Sequence, residues 1–336
     1  MDNNISNKNV TMDDIAKELG IAKSTVSKAL SGKGRVGKDT IRRVQECISK
    51  YNYTPNSIAR SLANSRTYNI GVMLPKEPDL SHTPFFHNCL IGITQEVAAE
   101  GYDVLIIMEE EDDIEMPKRL VENHKVDGVI LTRSITGDAA MDYLKGTNLP
   151  FVLVGSSEDE NVIQVDGNHI ESSERLTSLL LADGIRRIGL LTGWKRHTVN
   201  KYRCEGYHRA LERYNIVEEQ DMIYEDCNSV AGVERAVFSL LKKGAECIVC
   251  TDDVICQRVL FKLNAEGYSI PEDIKVASLH DSLLLETFNP PVTAVEINPI
   301  KLGMVAGRRM LEAIEGKQGA LKELVDYEIH LRRSTK

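Results

Sequence analysis

VTMDDIAKELGIAKSTVSKAL, Val10 to Leu30, is the stretch on which the reading of this chain turns. Thr11 opens T-M-D-D, a hydroxyl at a helix cap with an acid three residues later. Each of those side chains can satisfy a backbone N–H that the first helical turn leaves without a partner. Ile15, Ala16 and Leu19 recur at helical spacing, and Gly20 stops the helix because it takes positive φ without a Cβ clash. After the Gly20-Ile21-Ala22 turn, Val26, Ala29 and Leu30 form a second apolar stripe. Ala16 and Ala29 are small enough to let two helices cross closely. This is the helix-turn-helix pattern. The outer face of the second helix carries Lys23, Ser24, Ser27 and Lys28. Laid in a major groove, Lys23, Ser24 and Lys28 would reach base edges, while Thr25, Ser27 and Ser31 would donate to phosphates. Thr11, at the start of the first helix, joins this DNA-facing set. Taken alone, the pattern also fits a small amphipathic hairpin with a solvated face.

Moving outward, a third helix is expected over about Lys38 to Tyr51, with Ile41, Val44 and Ile48 on one side. Pro55 breaks it. Asn56 or Ser57 then caps a further short helix, about Ser57 to Asn64, with Ile58, Ala59 and Leu62 on one face. That helix is too short to be stable alone in water and needs a second copy of itself or DNA. Charge follows the same division. The whole chain is −9, but residues 1–66 hold 12 Lys+Arg against 6 Asp+Glu and the remainder holds 29 against 44. A basic head on an acidic body implies that only the head meets a polyanion.

From Tyr68 the texture changes. YNIGVMLP, YDVLIIM, DGVILT and PFVLVG alternate with amphipathic stretches, and the pattern restarts after about residue 167 with RIGLLTG, CIVCT and KVASLH. Near-continuous apolar strands separated by helices indicate parallel sheets built of βαβ units. Two such halves imply two lobes with a cleft between them, and ligands in such sheets sit beyond the carboxyl ends of the strands. Phe85 and Phe86 follow the first strand, where an aromatic ring stacks on a sugar or fills a core. Trp194, the single tryptophan, follows RIGLLTG, placed as a sugar platform or as a surface loop residue.

The combination resembles the lactose/galactose-repressor (LacI/GalR) family of bacterial transcription regulators. The residues that carry the resemblance are VTMDDIAKELGIAKSTVSKALSGKGRV and Y-x-P-N-S-I-A-R-S-L-A, followed by a strand entering a sugar-binding-protein-like body; it extends from Val10 to about Arg333. The resemblance implies a small all-α helix-turn-helix head (9–55), a hinge helix and linker (56–66), and an α/β two-lobed periplasmic-binding-protein-like core (67–333). The first lobe would take about 67–166 and 297–324, the second about 167–296 and 325–333. It also implies that Lys23, Ser24 and Lys28 read the major groove. Asn56, Ala59 and Leu62 would belong to the hinge, where paired leucines wedge into the minor groove. Arg203, in Y-R-C-E-G-Y, matches the family's R-x-x-G-[FYW], whose arginine binds effector hydroxyls or carboxylates; a salt bridge at a helix start is the alternative. Asp252 falls at the family's N-D or T-D corner. Four departures stand out. Ala22 and Gly37 replace usual serine caps, and Lys28 replaces a more usual arginine, a point charge in place of a bidentate fork. In KVASLHDS, His280 stands where the family commonly has an aspartate that grips sugar hydroxyls.

Other chemistry is not signalled. The seven cysteines are scattered without disulfide spacing. Cys247 and Cys250 lie on one expected strand and point to opposite faces, so they read as core thiols. The acidic run Met108 to Glu115 lacks calcium-loop spacing. Neither a dinucleotide fingerprint nor a nucleophile elbow is present. These features predict no enzyme, no cofactor and no metal. With no apolar run near 18 residues and a polar N-terminus, a cytoplasmic location without membrane contact is expected. The resulting expectation is a sequence-specific DNA-binding repressor on a pseudo-palindromic operator. It would act as a homodimer and be controlled by a sugar between the lobes, first an oligosaccharide or glucoside. The alternatives are a catabolite-control-type regulator driven by a phosphocarrier partner, and an enzyme or transport receptor on the same two-lobed fold.

Overall fold

The computed structural model describes residues 10–31, 35–51, 53, 61, 64–76, 84–110, 113–217 and 222–336. The chain separates into two compact units, Met1–Arg66 and Thr67–Lys336. In the first unit, helix α1 (Met12–Leu19) begins with the reciprocal cap. The Asp14 backbone N–H donates to Thr11 Oγ1 at 3.3 Å, and the Thr11 N–H donates to Asp14 Oδ2 at 2.9 Å. Gly20 ends α1 at φ +66°, a left-handed conformation that an L-residue adopts at a cost. Helices α2 (Lys23–Ser31) and α3 (Lys38–Tyr51) follow. Ile15, Ala16, Val26, Ala29, Val44 and Cys47 are buried together, a three-helix core with alanines at the close approaches. Without a serine cap, α2 starts on backbone groups alone, with the Thr25 and Val26 N–H groups donating to the Ala22 carbonyl at 2.8 and 3.2 Å.

The second unit contains two six-stranded sheets. The first half of the chain supplies β1 (Asn69–Pro75), α4 (Pro84–Ala99), β2 (Asp103–Glu109), α5 (Glu115–Glu122), β3 (Gly128–Leu131), α6 (Ala139–Lys145), β4 (Phe151–Val154) and β5 (Ile163–Gly167). Next come α7 (His169–Ala182), β6 (Ile188–Leu191), α8 (Thr198–Arg213), β7 (Ile223–Tyr224), α9 (Val230–Lys242) and β8 (Cys247–Cys250). The remainder is α10 (Asp253–Ala265), β9 (Lys275–Ser278), α11 (Leu283–Thr287), β10 (Thr293–Ile297), α12 (Pro299–Ile314), β11 (Lys322–Val325) and β12 (Tyr327–His330). The first sheet runs β11-β5-β4-β3-β1-β2 and is parallel throughout. The second runs β12-β10-β9-β8-β6-β7, parallel except that β12 lies antiparallel to β10. Buried residues fill β3 and β8 from end to end, as strands covered on both faces require.

The chain passes between the sheets three times, from β5 to α7, from β10 to α12 and from β11 to β12. The second passage returns α12 to the first lobe, where it packs on α4 through glycines. A Cβ on Gly303 would lie 2.0 Å from the Cys89 carbonyl oxygen, and one on Gly92 would lie 2.0 Å from that of Ile300. On β8, Cys247 and Cys250 enter two different apolar clusters, one on each face of the sheet, so they form no shared site.

Candidate ligand cleft and nucleic-acid face

In the head, Thr11, Lys23, Ser24, Ser27 and Lys28 are exposed and Thr25 is half-buried. The chemistry of α2's outer face is thus small hydroxyls between two ammonium groups. Lys23 Nζ reaches Asp13 Oδ2 at 2.7 Å, with both side chains more than half exposed. Such a pair adds little stability, so the lysine can exchange it for a base edge or phosphate. Ser31 closes α2. Asn56, Ala59 and Leu62 lie outside the described residues.

In the body, the carboxyl ends of strands from both sheets face one cleft with about 1280 Å³ of empty space, part of it open to solvent. Phe85, Phe86, Trp194, Arg203, Asp252 and His280 all line it, although they are spread over 196 positions of sequence. Phe85 and Phe86 stand in the first turn of α4 and meet edge to face at 5.3 Å. Phe85 also meets His280, from the opposite lobe, at 5.8 Å with the rings 75° apart. Trp194 is 39% exposed.

Arg203 projects from α8 and is buried. Its Nη1 donates to the Thr251 carbonyl at 2.7 Å, while its Nε has no protein partner. It makes no salt bridge at the helix start. Burial lowers its pKa to about 10, against the pull of Asp252, Asp166 and Asp253. Asp252 caps α10, accepting the Ile255 N–H at 2.8 Å. Burial raises both Asp252 and Asp253, and Asp253 Oδ1 has no hydrogen-bond partner. His280 is pushed down to about 4, first by burial and then by the Arg203 guanidinium, so its imidazole is neutral at pH 7. An unpartnered N–H and an unpartnered carboxylate oxygen lining the same cleft suit a ligand that both accepts and donates, as one carrying hydroxyls does.

Asp166, His169, Arg133 and Asn200 also line the cleft, and none of them was expected from sequence. Asp166 ends β5 and accepts from Ser156 Oγ at 2.7 Å and from the Gly167 N–H at 2.8 Å. Burial would raise it, but His169, Ser156 and that N–H outweigh burial and hold it below its usual range. His169 Nε2 lies 3.1 Å from Asp166 Oδ1, while Nδ1 has no partner. The signal available was positional, since D-G-N-H follows a strand end just as the other candidates do.

Asp281, beside His280, turns away from the cleft. Arg332 grips it with Nη1 and Nη2 at 2.8 and 2.6 Å. Among the described residues, Asp281, Glu296 and His330 are the grouping of potential metal donors that converges within 4.8 Å. The guanidinium on Asp281 and the 2.7 Å bond between His330 and Glu296 make it an ion-pair network joining β10, β12 and the β9 loop. Among the described residues no helix is long and apolar enough to cross a membrane.

Comparison with known proteins bears on both units. Residues 11–56 match the model of bacterial regulatory proteins of the lacI family, and residues 67–326 match that of periplasmic binding proteins and the sugar binding domain of the LacI family. The HTH-type transcriptional regulator RegA of Clostridium saccharobutylicum is 30% identical over 337 residues, covering 97% of this chain and 99% of that protein. The HTH-type transcriptional repressor PurR of Actinobacillus pleuropneumoniae serotype 3 (strain JL03) is 28% identical over 335 residues, covering 97% and 98%. The structure of a lac repressor dimer bound to operator and an anti-inducer superposes with a TM-score of 0.80 over 98% of this chain and 99% of that one, at 22% identity. A transcriptional regulator CelR–cellobiose complex gives 0.74 over 97% and 99%, at 23% identity.

Proposed function

The chain belongs to the LacI family of bacterial regulatory proteins, and from that membership we propose a repressor whose operator affinity is set by a carbohydrate in the cleft. It is a DNA-binding transcriptional regulator and not an enzyme. The observation that carries the effector reading is the convergence of aromatic rings with Arg203 and Asp253, each holding an unpartnered polar atom. Rings stack on the apolar face of a sugar, and the two unpartnered polar atoms suit its hydroxyls. An oligosaccharide or glucoside suits a partly open space of about 1280 Å³. A homodimer on a pseudo-palindromic operator is proposed with it.

The test is fluorescence anisotropy on a duplex from the gene's own upstream region, at fixed salt because phosphate contacts make affinity salt-dependent. Titration is repeated with cellobiose, maltose and a panel of other mono- and disaccharides. Nanomolar binding that one sugar weakens at least tenfold is the expected result. Nanomolar binding that no sugar alters refutes the sugar effector and transfers the regulatory role to a protein partner or to a ligand of another class.

A further inference from the structure

The three chain passages between the lobes use β5 and β11 of the first sheet and β10 and β12 of the second. All of these strands lie at the same end of the strand order in their sheets. At the other side, the loop after β3 and the loop after β6 are tied together. Ile135 and His197 form an isolated antiparallel bridge. The Thr136 N–H donates to the Arg196 carbonyl at 2.9 Å, and the Thr198 N–H donates to the Ser134 carbonyl at 3.1 Å. Ser134 Oγ and Thr198 Oγ1 share a hydrogen bond at 2.9 Å, and Ser134 Oγ also donates to the Ser156 carbonyl of its own lobe. Strands lie about 4.8 Å apart, and β3 is two places from β5 while β6 is three from β10. The tie therefore acts roughly 10–14 Å from the covalent passages, on the side of the cleft that would open if those passages flexed as a hinge.

We propose that this cross-lobe strap is the clasp that fixes the lobe angle at which the cleft takes its ligand, with Ser134 and Thr198 as positioning residues. The strap is made mainly of hydrogen bonds, and Ile135 is its one buried apolar side chain, so opening it breaks a few polar contacts and exposes a single isoleucine. Its loops also present the site. Arg133 precedes Ser134 and lines the cleft, and Trp194 and His197, in the loop after β6, do the same. The Trp194 carbonyl accepts from the His197 N–H at 3.1 Å and from Asn200 Nδ2 at 3.0 Å, linking the strap to the turn of α8 that leads to Arg203. Opening the strap would thus move one wall of the cleft together with its gate. The role in ligand binding rests on the reading that the cleft holds an effector; the mechanical role does not.

The experiment uses the full chain, whose single tryptophan sits beside the strap. Partners in an antiparallel bridge have Cα atoms about 4.5–5.5 Å apart, within the range a disulfide spans. Ile135→Cys with His197→Cys should form an intramolecular disulfide in more than nine-tenths of molecules under mild oxidation. The native thiols are buried, apart from half-buried Cys204, and compete little. Thr198→Val keeps the shape and removes the hydroxyl, and it should raise acrylamide quenching of Trp194 at least twofold; Thr198→Ser should restore the wild-type value. A double-cysteine variant that stays reduced, or quenching in Thr198→Val equal to wild type, overturns the clasp. In the oxidised double-cysteine protein, the sugar that weakens wild-type operator binding should lose at least nine-tenths of its effect, and reduction should return it. A locked protein that responds like wild type also overturns the proposal. If no sugar acts on wild type while the disulfide and quenching results hold, the sugar reading fails and the clasp stands.

Discussion

Protonation of His280 should unlock the body in acid, and the size of the effect follows from its surroundings. The ring is packed edge-on against Phe85. The charges of Arg203 and His169 in the cleft disfavour its protonation, while Asp252 in the cleft and Asp281 outside it favour it. Its pKa falls from an ordinary 6.5 to about 4 in the folded state. Above pH 6.5 both folded and unfolded chains keep the ring neutral, and the shift has no effect on stability. Between about 6.5 and 4 the unfolded chain binds a proton that the folded chain refuses, so stability falls as pH falls. A displacement of about 2.5 pH units at 1.36 kcal/mol each amounts to roughly 3 kcal/mol, complete near pH 4. Other groups titrate in the same window. His169, lowered by burial, and Asp166, held low, also lose stability in acid, whereas Asp252 and Asp253, raised by burial, oppose them. The quantity to measure is therefore a difference. Urea unfolding of wild type and His280→Asn, followed by Trp194 emission at pH 7.5 and pH 4.5, should show the stability gap between them shifting by about 2–3 kcal/mol in favour of the variant. Parallel pH dependences in the two proteins would show that His280 is not held neutral by its site.

Gly303→Ala should destabilise the body by at least about 2 kcal/mol in urea unfolding, because the new Cβ meets backbone of α4 that cannot step aside; a loss under 0.5 kcal/mol would mean that α4 and α12 pack less closely. Thr11→Ala removes half of the α1 capping box and should cost about 1 kcal/mol, read as roughly fivefold faster exchange of the Asp14 amide, with Thr11→Ser restoring protection. Leu62→Ala should weaken specific operator binding at least tenfold while circular dichroism stays that of wild type; unchanged affinity would sink the hinge-wedge expectation.

What was legible in the sequence is what local chemistry determines. Thr11, Asp14 and Gly20 fix both ends of α1 within a few residues of one another, and the span Lys38 to Tyr51 for α3 follows from periodicity alone. The strands read most easily are those buried on both faces, such as β8 with its CIVC. Strand β5 is less legible because its buried residues include Gln164 and Asp166, which break the apolar run. Both are tolerated because of partners in the preceding loop. Gln164 accepts the Ser157 N–H at 2.9 Å and donates to the Asp159 carbonyl at 2.9 Å, and Asp166 holds Ser156. A polar residue whose burial is compensated several residues away reads as a loop until those partners are known. Asp166 was missed with the strand that carries it, and His169 with the helix start that follows.

The same reasoning explains the exchange at the end of β9. A sequence with His280 and Asp281 adjacent leaves open which of them faces the ligand, since both are polar and both follow a strand. The deciding contact comes from Arg332, 51 residues further on, which engages both oxygens of Asp281 and also donates to the Val292 carbonyl. A buried carboxylate held by a bidentate guanidinium is committed, because releasing it would leave two charges desolvated and unpaired. The carboxylate therefore ties β12 to the β9 loop, and the imidazole is left to line the cleft. A neutral ring that meets Phe85 edge to face across the gap stands where the family commonly has an aspartate. That leaves the Arg203 charge to be balanced by Asp252, Asp166 and Asp253.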